Sequence, residues 1–154
     1  MLKKSKLLLL IIILAGCSNQ MSKKAPLIPM EDFFRNPDKS SFQISPDGQH
    51  IAYMKPWKTR MNVHVINVET TDETRLTSSE DRGIYGYGWL GNNRIGYAKD
   101  DGGDENIHVF AVNIDGTNEI DLTPFENVQA RMIDDLEDDP DHVILGLNKR
   151  DPRI

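Results

Sequence analysis

The sequence repeats itself at an interval of about 45 residues, and that interval constrains the fold more than any single motif within it. His50-Ile51-Ala52-Tyr53 returns 44 residues later as Arg94-Ile95-Gly96-Tyr97, and Asn62-Val63-His64-Val65 returns, again 44 later, as Asn106-Ile107-His108-Val109. Arg75-Leu76-Thr77 returns 46 residues later as Asp121-Leu122-Thr123. Between these anchors the apolar residues alternate, as Phe42 and Ile44, Ile51 and Tyr53, Val63 and Val65, then Tyr87 and Trp89, Ile95 and Tyr97, Ile107 and Val109. A period of two marks half-buried strands, so each repeat reads as four short strands. Ser45-Pro46-Asp47-Gly48 and Gly91-Asn92-Asn93 supply the first turn of each unit, because Pro fixes φ while Gly and Asn accept positive φ.

Four strands in about 40–45 residues is the size of one β-propeller blade, and rings close with about four to eight of these. The spacing predicts an all-β chain, an incomplete β-propeller of about two and a half four-stranded blades. Its blades fall at 42–79 and 84–126, with a partial blade at 128–154 that begins at Val128 and includes Val143-Ile144-Leu145-Gly146-Leu147. Such a chain either assembles with other copies or is the N-terminal part of a longer product, and ending inside a blade favours the second. A small sandwich or open antiparallel sheet leaves the repeat unexplained. With 27% charged and 38% hydrophobic residues the composition is that of a globular domain rather than a disordered or fibrous one. Acidic residues outnumber basic ones by 24 to 18, and three of the lysines (Lys3, Lys4, Lys6) precede an apolar run, which argues against a nucleic-acid partner, since phosphate binding needs a basic face.

Those lysines open an export leader. A basic stretch, the apolar run Leu7 to Ala15 and then Gly16-Cys17 have signal-peptide architecture over residues 1–16. The run is too short for the roughly 20 apolar residues that a spanning helix needs. Leu14-Ala15-Gly16-Cys17 resembles a bacterial lipobox, in which the cysteine sulfur takes a diacylglycerol and cleavage exposes its amine. Cys17 is the sole cysteine and stands at the one position a lipobox requires, which sets this reading above a plain secretory signal with an incidental thiol. The expectation is a lipid attachment at Cys17, an anchor in a membrane facing the periplasm, and, because Ser18 follows where inner-membrane retention calls for Asp, placement in the outer membrane. Residues 17–29 are polar and aperiodic and read as a tether. Residues 30–36 are expected to form a short helix, with Glu31 and Asp32 near its start, Arg35 near its end, prolines on both sides, and Met30, Phe33 and Phe34 on one face as a packing latch.

Ile28 to Pro37, Phe42-Gln43-Ile44-Ser45-Pro46-Asp47-Gly48, Asp104-Glu105-Asn106-Ile107-His108 and Asp121-Leu122-Thr123-Pro124 together resemble the N-terminal propeller of prolyl oligopeptidase family serine peptidases, in the branch of dipeptidyl aminopeptidases and acylaminoacyl peptidases. The resemblance runs from about Ile28 to Ile154. It implies a propeller of about seven or eight blades that caps a C-terminal α/β-hydrolase domain, admits small peptides and excludes folded proteins. The Ser-Pro-Asp-Gly turn alone also occurs in TolB-type propellers, which keeps open a stand-alone lipoprotein propeller that binds a protein or a glycan.

No catalytic residue can be assigned. The hydrolase nucleophile sits in a Gly-x-Ser-x-Gly elbow, and none occurs in these 154 residues. Glu31-Asp32 and Asp104-Glu105 stand in the wrong contexts for the acidic pair that holds a substrate amino terminus in some relatives. The carboxylates at Asp100, Asp101, Asp104 and Glu105 miss the EF-hand spacing and read as a solvated hairpin loop. Asp134-Asp135-Leu136-Glu137-Asp138-Asp139-Pro140-Asp141 reads as a solvated turn. His64 and His108, at equivalent repeat positions, are expected to share a strand role, without a second ligand at metal spacing. Trp57, Trp89 and Tyr87 are expected in the core. Neither a cofactor nor a metal site is expected.

Overall fold

The computed structural model describes residues 25–136, 138, 139 and 141–149, which fall in two compact units, Met1–Arg35 and Asn36–Ile154. The leader and Cys17 lie outside the described residues, and of the tether only residues 25–29 are described, without regular structure. Among the described residues no helix is long and apolar enough to cross a membrane.

In the first unit α1 (Met30–Phe34) starts after Pro29 and carries Glu31 and Asp32 in its first turn, where acidic groups meet the exposed N–H groups of the helix. Arg35 pairs with Asp32. The helix is two residues shorter than expected because Arg35 is already extended (ψ 136°), and Asn36, standing before Pro37, is disfavoured in the α region.

Among the described residues the second unit has ten strands: β1 (Ser40–Ile44), β2 (His50–Trp57), β3 (Arg60–Asn67), β4 (Glu73–Arg75), β5 (Gly86–Leu90), β6 (Arg94–Lys99), β7 (His108–Asn113), β8 (Ile120–Asp121), β9 (Ala130–Asp134) and β10 (Ile144–Leu147). They form two four-stranded antiparallel sheets in the simple orders β1-β2-β3-β4 and β5-β6-β7-β8, and a two-stranded β9-β10 ribbon. Two successive four-stranded meanders and the start of a third are the incomplete propeller that the repeat predicts.

Local chemistry sets the turns. At the β1–β2 turn the Ser45 amide donates to the His50 carbonyl (2.9 Å), the Ser45 hydroxyl donates to Asp47 Oδ1 (2.6 Å), and Gly48 takes φ +72°. The corresponding turn of the second sheet uses Gly91 at φ +62°, and the Asp47 amide donates to Asn92 Oδ1 (3.1 Å), tying the two turns together.

The core lies between the first two sheets. Alternation places Ala52, Met54, Val63 and Val65 on one face of the first sheet, where they pack in a single buried cluster with Trp89, Ile95, Tyr97 and Val112 of the second. Gln43 reinforces the junction, donating from Nε2 to the Tyr87 carbonyl (3.0 Å) while its own carbonyl accepts from Trp89 Nε1 (3.5 Å). The opposite face of the second sheet meets the ribbon, where a Cβ on Gly96 would stand 2.5 Å from the end of Met132. The Ala130 amide also donates to the Ile107 carbonyl (2.7 Å) there.

The register corrects one reading of the repeat. In the first sheet Tyr53 faces His64 and Lys55 faces Asn62, whereas in the second Tyr97 faces Phe110 and Lys99 faces His108. Structural equivalence in the third strands therefore runs at 46 residues, with His108 in the place of Asn62 and Phe110 in that of His64. His64 and His108 do not share a strand position. The buried threonines obey the same interval, since the Val63 amide donates to Thr77 Oγ1 (2.9 Å) and the Val109 amide to Thr123 Oγ1 (3.0 Å). The longer β6–β7 connection absorbs the two extra residues, where β2 and β3 are joined by Lys58 and Thr59 alone.

Candidate functional site

On the outer face of the first sheet, adjacent strands bring together Tyr53 from β2, His64 from β3 and Glu73 from β4. Glu73 accepts from Lys55 Nζ (2.6 Å) and from the Tyr53 hydroxyl (2.5 Å), and His64 Nδ1 stands 3.0 Å from the same carboxylate. Phe42 and His64 stack on Tyr53, with ring centroids 5.5 and 6.0 Å away. The Lys55 ammonium and the Tyr53 hydroxyl hold the Glu73 carboxyl down at about 2. Burial drives the Tyr53 hydroxyl upward, and burial drives the His64 imidazole downward against the pull of Glu73. The second sheet has its own version, with Tyr97 bonded to Glu119, His108 Nδ1 2.7 Å from Asp121 Oδ2, and Lys99 over the Phe110 ring at 4.6 Å.

The Glu73 cluster makes the first sheet acid-sensitive. Both His64 and Glu73 bind protons more weakly in the folded state than in the unfolded chain, so each makes stability fall as the pH drops. For His64 this begins below its ordinary value of 6.5, and for Glu73 below 4.5, continuing to about 2. The urea midpoint of the chain should decline from pH 7 to pH 3, and Glu73→Gln should remove about 1–2 kcal/mol of that dependence below pH 4.5. An unchanged profile in Glu73→Gln would show that the carboxylate is not held as described.

A cleft of about 550 Å³ opens where the β4–β5 linker passes the β6–β7 connection, lined by Glu80, Asp81, Asp100, Asp104 and His108 among others. Asp100 departs from the expected solvated loop. Its side chain is wholly buried, with Oδ2 3.3 Å from Nη2 of Arg82, which comes from the linker and lies over Gly103. Gly103 takes φ +89°, the region that favours glycine, and a Cβ there would stand 3.0 Å from the guanidinium carbon. Asp104 caps its own turn, accepting from the Asn106 amide and side chain at 3.0 Å each.

The acidic turn after β9 is likewise internally bonded, Asp134 Oδ1 accepting from the Leu136 amide (2.8 Å) and Asp139 standing 2.9 Å from His142 Nδ1. Among the described residues no group of three or more His, Cys, Asp or Glu side chains is placed to hold a metal ion. Of the aromatics, Trp89 is in the core and Tyr87 packs at its margin. Trp57 is not in the core. It is half-buried at the end of β2, with Arg75 and Lys58 over its ring at 4.1 and 4.7 Å.

No serine described here is poised as a nucleophile. The Ser79 hydroxyl donates to the Arg82 carbonyl (2.6 Å) and that of Ser45 to Asp47, so neither hands its proton to a histidine. The polar residue that sequence reasoning undervalued is Asn62. Fully buried, it donates to the carbonyls of Arg60 (3.1 Å) and Ser79 (2.9 Å) and accepts from the Thr77 hydroxyl (2.9 Å) and the Ser79 amide (2.7 Å). Its position at the head of the repeated motif was visible, but partners 15 and 17 residues away were not.

Comparison with known proteins supplies what the site geometry lacks. No protein-family model matches the chain. Dipeptidyl aminopeptidase BIII of Pseudoxanthomonas mexicana is 32% identical over 127 residues, which is 81% of this chain and 18% of that protein. The chain thus spans less than a fifth of the length of the curated relative it matches. Among solved structures, the acylaminoacyl peptidase of Pyrococcus horikoshii is similar with a TM-score of 0.43 and 17% identity, over 62% of this chain and 19% of that one. An acylaminoacyl peptidase bound to Z-Gly-Gly-Phe-chloromethyl ketone gives 0.44 and 16%, over the same shares. These two likenesses add nothing to the sheet topology described above. The sequence relationship does: the chain is a homologue of a dipeptidyl aminopeptidase, and its four-stranded meanders are those of an incomplete propeller.

Proposed function

We propose that this chain is the noncatalytic, N-terminal propeller portion of a membrane-anchored serine peptidase that cleaves short peptides, and that its blades gate access to an α/β-hydrolase domain encoded beyond them. The observation that carries the reading is the 32% identity to a dipeptidyl aminopeptidase over 81% of the chain. The missing Gly-x-Ser-x-Gly elbow and the inward-bonded serines agree with a gating rather than a catalytic role. Anchorage is through diacylglycerol on Cys17, in a membrane facing the periplasm, by the lipobox that ends the leader. The partners are the membrane, the hydrolase domain and small peptides.

Activity-based labelling tests this. Membranes from the source cell are treated with a fluorophosphonate, which acylates activated serines, and then precipitated with an antibody raised against the blade sequence. The expected result is a labelled polypeptide several times larger than this chain of 17.5 kDa. An antibody-reactive protein that takes no label would overturn the peptidase reading and leave the stand-alone binding propeller.

A further inference from the structure

The cleft beside Asp100 carries a buried charge that the chain only half answers. Its lining comes from the β4–β5 linker, the β6–β7 connection and strands β6, β7 and β8, all within or between the two complete sheets. Several of its carboxylates are engaged inside the molecule: Glu80 pairs with Lys58 (2.5 Å), Asp104 accepts twice from Asn106, and Asp121 faces His108 Nδ1. Asp100 differs. Arg82 reaches only its Oδ2, at 3.3 and 3.4 Å, which is long for a charge-assisted bond. Oδ1 has no hydrogen-bond partner among the described residues, although the side chain is wholly buried. A buried carboxylate oxygen without a donor is costly, because the bonds water would supply are not replaced. A ligand in the cleft can bring that donor.

The rest of the lining specifies what the ligand is. Asp81 from the linker and Asp101 from the connection, both exposed, add negative potential and call for a cation. A bare metal ion does not fit, since among the described residues no three ligating side chains converge. An organic cation with an apolar stem does fit, because Phe110 shares the lining, and Lys99 already displays the arrangement with its ammonium 4.6 Å over that ring. We propose that this cleft binds a primary alkylammonium group, which donates to Asp100 Oδ1 while its methylene stem lies along Phe110. The cleft volume of about 550 Å³ is within the range of small-ligand sites. A free diamine and the lysine side chain of a short peptide both present this chemistry. The site does not rest on the peptidase reading.

Titration of the full chain in nonionic detergent micelles, followed by amide NMR, tests it with two probes, cadaverine and a lysine tripeptide blocked at both ends so that the side-chain ammonium is its only charge. Resonances of residues 80–81 and 99–108 should shift with the ammonium probes, less so as salt is raised, and not with the matching norleucine tripeptide. Asp100→Asn keeps the shape of the side chain and removes its charge, and should weaken binding about tenfold or more. Asp101→Asn, at an exposed position, should weaken it about threefold with the wild-type thermal melt. Response to the lysine peptide would identify a side chain as the ligand, and response to cadaverine alone a free amine. The proposal is overturned if neither probe shifts these resonances, or if the norleucine peptide shifts them equally. Undiminished binding in Asp101→Asn, whose fold is not at stake, or in a folded Asp100→Asn would overturn it as well.

Discussion

Replacing Asn62 with alanine is expected to destabilise the chain by about 3 kcal/mol, near the upper end of what a single substitution does. The side chain is fully buried and all four of its hydrogen-bonding positions are occupied. Truncation leaves the Ser79 amide and the Thr77 hydroxyl without their acceptor and the Ser79 carbonyl without its donor. A buried polar group left unsatisfied costs about 1–3 kcal/mol. Thr77 is itself the acceptor for the Val63 amide, so the loss spreads into the β3–β4 junction. Asn106, its counterpart by sequence motif, bonds only within its own turn to Asp104. Asn106→Ala should therefore cost under about 1 kcal/mol, as substitutions outside buried networks do. Urea denaturation of the two variants gives the comparison directly. Equal losses, or a loss at Asn62 below about 1 kcal/mol, would show that the linker between the sheets is not held by this residue.

The second large effect concerns location. If Cys17 carries the diacylglycerol, Cys17→Ser removes the only sulfur in the chain able to form the thioether and leaves the apolar run Leu7 to Ala15 intact. One acyl chain gives only marginal membrane binding and stable anchoring takes more than one, so losing the lipidated cysteine should remove anchorage altogether. After fractionation the wild-type protein should sediment with membranes and extract only with detergent. The Cys17→Ser protein should either appear in the soluble fraction or accumulate as an uncleaved precursor whose extra mass equals the leader without lipid. A Cys17→Ser protein that matures normally and still partitions wholly to membranes would rule out the lipid anchor.

Much of the architecture was legible because strand alternation and turn chemistry are local. Ser45-Pro46-Asp47-Gly48 makes its turn from its own side chains, and the alternation of Ile51, Tyr53, Val63 and Val65 fixes which side chains share a face. The proline at position 37 disfavours the α region only for Asn36, while the helix already ends at the extended Arg35. The absence of a nucleophilic elbow was equally plain, since that motif is contiguous.

The repeat, the four strands per unit and the faces of those strands are thus written in local sequence. How the repeats superpose is settled by strand pairing across the fold. A repeated motif at an interval of 44 suggested that His64 and His108 correspond, yet register is set by pairing with the preceding strand, and two extra residues in the β6–β7 connection slide β7 by two places while keeping every side chain on its face. Burial of polar groups was hidden for the same reason. Asp100 looked like one carboxylate of a solvated loop, and it is buried beside Arg82, 18 residues away in sequence. Trp57 looked like core and is instead half-buried at a hairpin end, with two cations over its ring. Alternation tells which way a side chain points, but what it meets there depends on residues that only folding brings near.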